Sequence, residues 1–122
     1  MTDQVLKVLV IDDEEMIRST LCDCFEDEGF DVSSAGSSEE GLEVLENEEF
    51  DFATVDMRLP GMDGNDFILL AHEKRPDMKF VIYTGSVDYV LPQKLLDIGL
   101  TKEDVFLKPV PHLEDIVKAL RK

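Results

Sequence analysis

The chain has 122 residues, a hydrophobic fraction of 43%, and 12 basic against 28 acidic residues, which leave a formal net charge of −16 at pH 7. The hydrophobic fraction excludes a disordered acidic tail and predicts one folded domain over residues 1–122. The negative charge disfavours nucleic acid phosphates and anionic membranes, and it favours cations or basic protein surfaces.

Targeting features and cysteine usage indicate a cytoplasmic protein. No apolar run approaches the roughly 18–20 residues of a membrane span, and the first residues, MTDQVLK, lack a signal-peptide pattern. Cys22 and Cys24 lie two residues apart on a predicted helix, so their side chains diverge and suit neither a disulfide nor a CxxC redox site. We expect Cys24 to fill part of the core.

Strands and helices are predicted to alternate along the first half of the chain. The three strands lie at residues 5–11, 30–34 and 50–55. The first helix has the i, i+4, i+7, i+8 apolar spacing of an amphipathic helix, at Ile17, Leu21, Cys24 and Phe25. The second helix is capped by Ser37 or Ser38 and extends to about residue 46, with three inward positions, Gly41, Val44 and Leu45.

The same alternation continues in the second half. Residues 58–64, RLPGMDG, form a loop, and the helix at 65–74 is predicted to bury Phe67, Leu70 and Ala71. Strands follow at residues 80–83 and 105–107. A short helix at 92–98 begins at a proline, which is tolerated only in a first turn. The closing helix is marked by its apolar positions, Leu113, Ile116, Val117 and Leu120.

Five strands alternating with five helices predict an α/β fold with a parallel sheet covered on both faces. Ligands of such folds bind at the carboxyl ends of the strands. Asp12 and Asp13 follow the first strand, Asp56 the third, Thr84 the fourth and Lys108 the fifth. With the strand order 2-1-3-4-5, all five side chains converge on one edge of the sheet.

The chemistry of this edge indicates a magnesium and phosphoryl site. Clustered carboxylates require a strong positive charge nearby, and hard oxygen ligands suit Mg²⁺. The hydroxyl of Thr84 and the ammonium of Lys108 suit a phosphoryl group, and Asp56, in the middle, can form an acyl phosphate. Each residue alone is an ordinary surface or strand-end residue, so only their joint placement supports the hypothesis. Glu14 and Glu15 are interpreted as favourable charges at a helix N-terminus.

The motifs IDDE, VDMRLPGMDG, YTG and LKP, in that order and spacing, make essentially the whole chain resemble a receiver domain of the two-component response regulators. The resemblance implies a flavodoxin-like (βα)5 fold in which Asp56 accepts a phosphoryl group from a histidine kinase, a phosphotransfer protein or a small phosphodonor. Such a domain is not an enzyme; it promotes only its own phosphorylation and dephosphorylation. The implied ligands of Mg²⁺ are Asp13, Asp56 and the backbone carbonyl of Arg58, with Asp12 acting chiefly through water.

The resemblance also implies how the signal is read. Thr84 would be the switch hydroxyl and Lys108 the phosphate-pairing lysine, with a cis bond to Pro109, while Met57, Gly85 and Pro109 support the loops. Phosphorylation would move the loops after the third and fourth strands. The altered surface would then be read by an effector protein, by an output domain or by a second copy in a phosphorylation-linked dimer, without direct nucleic acid contact by this domain.

Rival classes fit the same residues less well. A Mg²⁺-dependent phosphohydrolase with an aspartyl nucleophile would carry D-x-D-x-[TV] after the first strand, where this chain has DDEEM. A flavodoxin-like electron carrier would need a hydroxyl- and glycine-rich phosphate loop there. A degenerate receiver that signals by binding alone is opposed by the intact acceptor, acid pair, hydroxyl and lysine. A free-standing receiver and a domain of a longer regulator are both compatible with the sequence.

One position departs from the family's pattern. Three residues before Lys108, receivers usually carry Tyr or Phe, whereas this chain has Val105, and the adjacent Phe106 is expected on the opposite face of the sheet. One hypothesis is that residues 86–91, SVDYVL, whose only aromatic residue is Tyr89, carry the conformational change instead. The alternative is that Tyr89 covers the core in both states.

Overall fold

The computed structural model describes residues 5–121, in which strands and helices alternate from end to end. The strands are β1 (Lys7–Ile11), β2 (Asp31–Ala35), β3 (Phe52–Val55), β4 (Lys79–Thr84) and β5 (Val105–Leu107). The helices are α1 (Glu15–Asp27), α2 (Ser38–Asn47), α3 (Gly64–Lys74), α4 (Gln93–Asp97) and α5 (Glu114–Leu120), and a short 3-10 helix, Lys102–Asp104, precedes β5. None of the helices within residues 5–121 has the length and apolar character that crossing a membrane requires.

The five strands form one parallel sheet in the order β2-β1-β3-β4-β5. This order and the helices that follow each strand confirm the predicted flavodoxin-like fold. Non-consecutive strands meet where β1 pairs with β3, so the chain turns from one half of the sheet to the other at the centre. In such sheets this centre is where ligands bind, outside the carboxyl ends of the strands.

Both faces of the sheet are covered, and the two faces have separate cores. Alternate residues of β1 divide between them, because successive side chains of a strand point to opposite sides. Leu9 and Ile11 pack with α2, α3 and α4, whereas Val8 and Val10 pack with α1 and α5. Fully burying one such aliphatic or aromatic side chain contributes about 1.5–3 kcal/mol, so this double burial is what holds the central strands in place.

Two predicted details are wrong. Leu70 is 39% exposed, and Ile68 is fully buried in its place. The buried stripe of α3 has the spacing i, i+3, i+4, i+7 from Gly64, which includes Ile68 and passes beside Leu70. In addition, β1 begins at Lys7 rather than at Val5, because its first partner in β2 is Asp31, and Val5 is exposed. Part of the predicted domain range, residues 1–4 and 122, lies outside the described residues.

The other predicted boundaries also lie within two residues of the observed ones, as the start of β1 does. Ser37 is the N-cap of α2, and its hydroxyl accepts a hydrogen bond from the Glu40 N–H at 3.1 Å. Pro92 is the N-cap of the short α4, where its missing N–H costs no helical hydrogen bond. Cys24 is half-buried and packs against the core on the α1 side, and both cysteines are free thiols.

Candidate functional site

The backbone brings the predicted site residues to one edge of the sheet. Beyond the ends of the strands, the ladder continues: the Asp56 N–H donates to the Ile11 carbonyl at 3.0 Å, and the Lys108 N–H donates to the Thr84 carbonyl at 2.8 Å. The backbones of Asp56 and Lys108 are therefore held in register with the ends of the neighbouring strands. The predicted convergence of the strand ends is present in the structure.

Lys108 is the centre of the site. Its Nζ lies 2.7 Å from Asp12 Oδ2, 3.1 Å from Asp56 Oδ2 and 3.1 Å from Glu14 Oε1. Only 9% of the lysine side chain is exposed. Burial by itself lowers the pKa of Lys108, but the hydrogen bond and charge of Asp12, followed by those of Asp56, raise this pKa above its ordinary value. The ammonium is therefore charged at every physiological pH.

Asp12 and Asp56 are buried carboxylates, with 1% and 3% of each residue exposed. Burial raises the pKa of Asp12, while the hydrogen bonds from Lys108 and from the Glu14 N–H act in the opposite direction. The second oxygen of each carboxylate is also held, since Asp12 Oδ1 accepts from the Glu14 N–H at 2.9 Å and Asp56 Oδ1 accepts from the Arg58 N–H at 3.3 Å. Both side chains are thus oriented before any ligand arrives.

Four carboxylates form a cluster at this edge: Asp12, Asp13, Glu14 and Asp56. Oxygens from all four lie within 4.8 Å of one another, and two of the residues are buried while Asp13 and Glu14 are exposed. Four carboxylates against the one ammonium of Lys108 leave a local excess of negative charge. An all-oxygen donor set with this excess and two solvent-exposed members fits a hard divalent cation such as Mg²⁺.

Thr84 and Gly85 lie at the same edge. Thr84 is fully buried, and its Oγ1 accepts a hydrogen bond from the Ser86 N–H at 3.2 Å. That bond holds the first residues of the β4–α4 loop against the end of β4. Gly85 has an ordinary φ, and a Cβ at this position would meet nothing within 4 Å, so this conformation does not require its backbone freedom.

The loop after β3 approaches α3 more closely than its sequence suggests. A Cβ at Gly64 would collide with the Asp56 carbonyl oxygen and with the side chain of Met57, which is itself buried. Sequence analysis interpreted Gly64 only as a loop residue, whereas it is the first residue of α3, after the N-cap Asp63. The Lys108–Pro109 bond is cis, as the resemblance implies.

Glu14 is the member of the site that sequence analysis missed. It was interpreted as a charge at the start of a helix, and it does lie at the N-cap of α1, but its side chain makes no capping hydrogen bond. The carboxylate instead reaches Lys108, 94 residues away in the chain. The one available signal was its position next to the acid pair, and nothing in the sequence says which way its side chain turns.

Val105, the position that departs from the family pattern, lies on the face of the sheet opposite to Phe106. Val105 packs on the α2–α3–α4 face and Phe106 on the α1–α5 face, as predicted. Tyr89, in the β4–α4 loop, is half-buried on the same face as Val105, and its hydroxyl donates to Asn65 Oδ1 at 2.7 Å. Burial, followed by the charge of Asp63, raises the pKa of Tyr89 to about 12. That residues 86–91 move on phosphorylation stays a prediction.

Comparison with known proteins agrees with this geometry. The family model described as response regulator receiver domain matches residues 8–121. Sporulation initiation phosphotransferase F of Bacillus subtilis is 27% identical over 114 residues, which cover 92% of this chain and 90% of that protein. Aerobic respiration control protein ArcA of Escherichia coli is 30% identical over 118 residues, covering 95% of this chain and 48% of ArcA. The chain therefore spans about half the length of that relative.

A solved structure with the same fold carries a modified aspartate. It is a response regulator protein from Burkholderia pseudomallei with a phosphorylated aspartic acid, a calcium ion and citrate. The TM-score is 0.82 at 30% sequence identity, and the match covers 94% of this chain and 66% of that one.

Proposed function

Because this chain belongs to the family of response regulator receiver domains, which are phosphoacceptor domains of two-component signalling, we propose that Asp56 is its phosphoacceptor. The observation that carries the proposal is the position of Asp56 after the central strand β3. There its side chain is only 3% exposed, with one carboxylate oxygen facing Lys108 and the other facing the Arg58 N–H. A carboxylate held in this way is pre-oriented for attack on phosphorus.

The proposed reaction is an in-line phosphoryl transfer. An Asp56 oxygen forms a bond to phosphorus, and the P–N bond of a phosphohistidine, or the P–O bond of a small acyl phosphate, breaks and returns its electron pair to the donor. The transferred group carries negative charge that repels the attacking carboxylate. Transfer therefore depends mainly on alignment of the reacting groups and on preorganised positive charge. Lys108 supplies that charge, and the Thr84 hydroxyl, at the end of the neighbouring strand, donates to a phosphoryl oxygen of the product.

The proposed Mg²⁺ ligands are the carboxylates of Asp13 and Asp56 and the backbone carbonyl of Arg58. Asp12 would act chiefly through water, as the resemblance to receiver domains implies, while its carboxylate holds Lys108 and the Glu14 N–H. Asp13 is an exposed member of the cluster, so its carboxylate is accessible from solvent. When bound, Mg²⁺ would neutralise charge on the carboxylates and on the phosphoryl oxygens.

The receiver is a signalling domain rather than a conventional enzyme; that it promotes its own phosphorylation and dephosphorylation is part of the proposal. Its proposed donors are a cytoplasmic histidine kinase or phosphotransfer protein. The proposed readers are an effector protein, an output domain or a second copy of the chain. Both a single domain and part of a longer regulator accord with the relatives, since the chain spans 90% of one and 48% of another.

The test of the acceptor is intact-mass measurement after incubation with acetyl phosphate and Mg²⁺. Wild type should gain about 80 Da, the mass of one phosphoryl group, and the adduct should be labile in base. Asp56→Asn should gain nothing while its circular dichroism stays unchanged. Asp77→Asn, an exposed aspartate just before β4 at the other end of the sheet, is the matched control and should behave as wild type. An undiminished adduct on Asp56→Asn would contradict the assignment.

A further inference from the structure

All four polar groups of Asp12 are satisfied within the chain. Its N–H donates to the Ala35 carbonyl at 3.2 Å, and its carboxylate oxygens accept from the Glu14 N–H and from Lys108. The remaining group, its backbone carbonyl, accepts from Arg18 Nη1 at 2.7 Å. Of these partners, only Arg18 binds the peptide group that joins Asp12 to Asp13.

Arg18 reaches this carbonyl from the first turn of α1. Its own N–H donates to the Glu14 carbonyl at 3.0 Å, which fixes the start of its side chain relative to the acidic turn. The guanidinium also lies against Gly36, directly after β2, where a Cβ would sit 3.4 Å from Nη1. The half-buried guanidinium therefore connects α1 to the ends of both β1 and β2.

We infer that Arg18 is a positioning residue for the proposed Mg²⁺ site, acting through the Asp12 carbonyl on the orientation of Asp13. The peptide group between Asp12 and Asp13 is planar, so fixing its carbonyl oxygen also restricts the direction of the N–Cα bond of Asp13. A hydrogen bond from a charged donor is stronger than one between neutral groups, and it leaves this plane little freedom. This inference rests on the proposed function, because it concerns the same metal site.

The charge of Arg18 and its positioning effect should change Mg²⁺ affinity in opposite directions, so the affinity of an Arg18 variant distinguishes them. A guanidinium beside a carboxylate cluster repels a second cation, so as a charge alone Arg18 weakens Mg²⁺ binding. As a positioning group it strengthens binding, because Asp13 is already held near its liganding orientation. Arg18→Met removes the donor and the charge but keeps an unbranched side chain. Arg18→Lys keeps the charge and one donor group but loses the planar fork.

The first measurement is the Mg²⁺ dissociation constant of the unphosphorylated protein by titration calorimetry. Residues that orient metal ligands typically change metal affinity by about 10–100-fold, so we expect about tenfold weaker binding in Arg18→Met. Arg18→Lys should lie between Arg18→Met and wild type. Binding in Arg18→Met as tight as in wild type, or tighter, would overturn the inference.

The second measurement requires no metal. The Glu14 N–H is protected by its bond to Asp12 Oδ1, so its hydrogen exchange reports on the order of the acidic turn. In Arg18→Met we expect faster exchange at Glu14 and unchanged exchange in α2. Uniformly faster exchange would mean only a loss of global stability, and unchanged exchange would mean no positioning; either result overturns the inference. If wild type itself binds no Mg²⁺, the proposed metal site fails, while the exchange result still decides the role of Arg18.

Discussion

Removing the ammonium of Lys108 should strongly destabilise the unliganded protein. Lys108→Met keeps most of the aliphatic length, so little volume is lost, but Asp12 and Asp56 lose their buried counter-charge. Their side chains are only 2% and 3% exposed, and breaking a buried pair by removing one partner costs about 3–5 kcal/mol. The third contact, with Glu14, adds little, because that side chain is 61% exposed.

The free energy of unfolding of wild type and of Lys108→Met should depend on pH in different ways. In wild type the raised pKa of Lys108 means that its contribution is complete below its ordinary value of 10.5 and is lost only as the pH rises through the higher pKa of the folded state. In Lys108→Met, burial still raises the pKa of Asp12 and nothing from residue 108 opposes it. The folded variant then binds protons more tightly than the unfolded chain, so its stability rises as the pH falls from neutral toward the ordinary carboxyl range of about 4.

The assay is urea unfolding followed by far-ultraviolet circular dichroism at about pH 5 and about pH 7.5, with and without millimolar Mg²⁺. Mg²⁺ replaces the missing positive charge, so it should restore more stability to Lys108→Met than it adds to wild type. Lys74→Met is the control: it removes the 3.6 Å ion pair with Glu46 on the surface and should cost less than about 1 kcal/mol. A loss in Lys108→Met no larger than in this control, or a stability that falls with decreasing pH, would refute the reasoning.

Three further changes test other parts of the structure. Mg²⁺ should raise the melting temperature of wild type, and Asp13→Ala should abolish that rise; an equal rise in both proteins would place the metal elsewhere. Thr54→Val should raise stability by about 1 kcal/mol, because the Thr54 hydroxyl is buried and has no hydrogen-bond partner among residues 5–121; a clear loss in urea unfolding would show that the hydroxyl is paired. Tyr89→Phe removes the bond to Asn65 and should reduce the NMR shift changes that we expect beryllofluoride to cause at residues 86–91; wild-type changes that are absent, or that are unaltered in the variant, would mean that the bond does not couple the loop to the site.

The fold could be predicted from the sequence because each element has a strong local signal. Buried strands such as Val8–Val10 are continuous apolar runs, and Ser37 and Pro92 mark helix starts by their own chemistry. The error at Leu70 has a different origin. Leu70 and Ile68 are both apolar, and which of them faces the core depends on the rotation of α3 about its axis, which the apolar pattern alone does not specify.

The sequence predicts which residues the backbone brings to the candidate site, but not all of the contacts that their side chains make. Residues that directly follow parallel strands must lie at one edge, so Asp12, Asp56 and Lys108 were within reach of the sequence. The bond from Tyr89 to Asn65 depends on the path of a loop, and the contact of Glu14 with Lys108 depends on the rotamer of an exposed side chain. Neither leaves a periodic pattern in the sequence, so neither could be predicted from spacing.

The four carboxylates that follow β1 have four different environments, and this explains why the run is not redundant. Asp12 is buried and fully hydrogen-bonded, and it holds Lys108 in place. Asp13 is an exposed member of the cluster, so a cation can reach it from solvent. Glu14 contacts Lys108 from the solvent side, and Glu15 lies in the first turn of α1, where a negative charge stabilises the helix. Asp12 and Asp13 are therefore not interchangeable: Asp12 is paired with Lys108, whereas Asp13 is exposed, and of the two only Asp13 is proposed as a direct metal ligand.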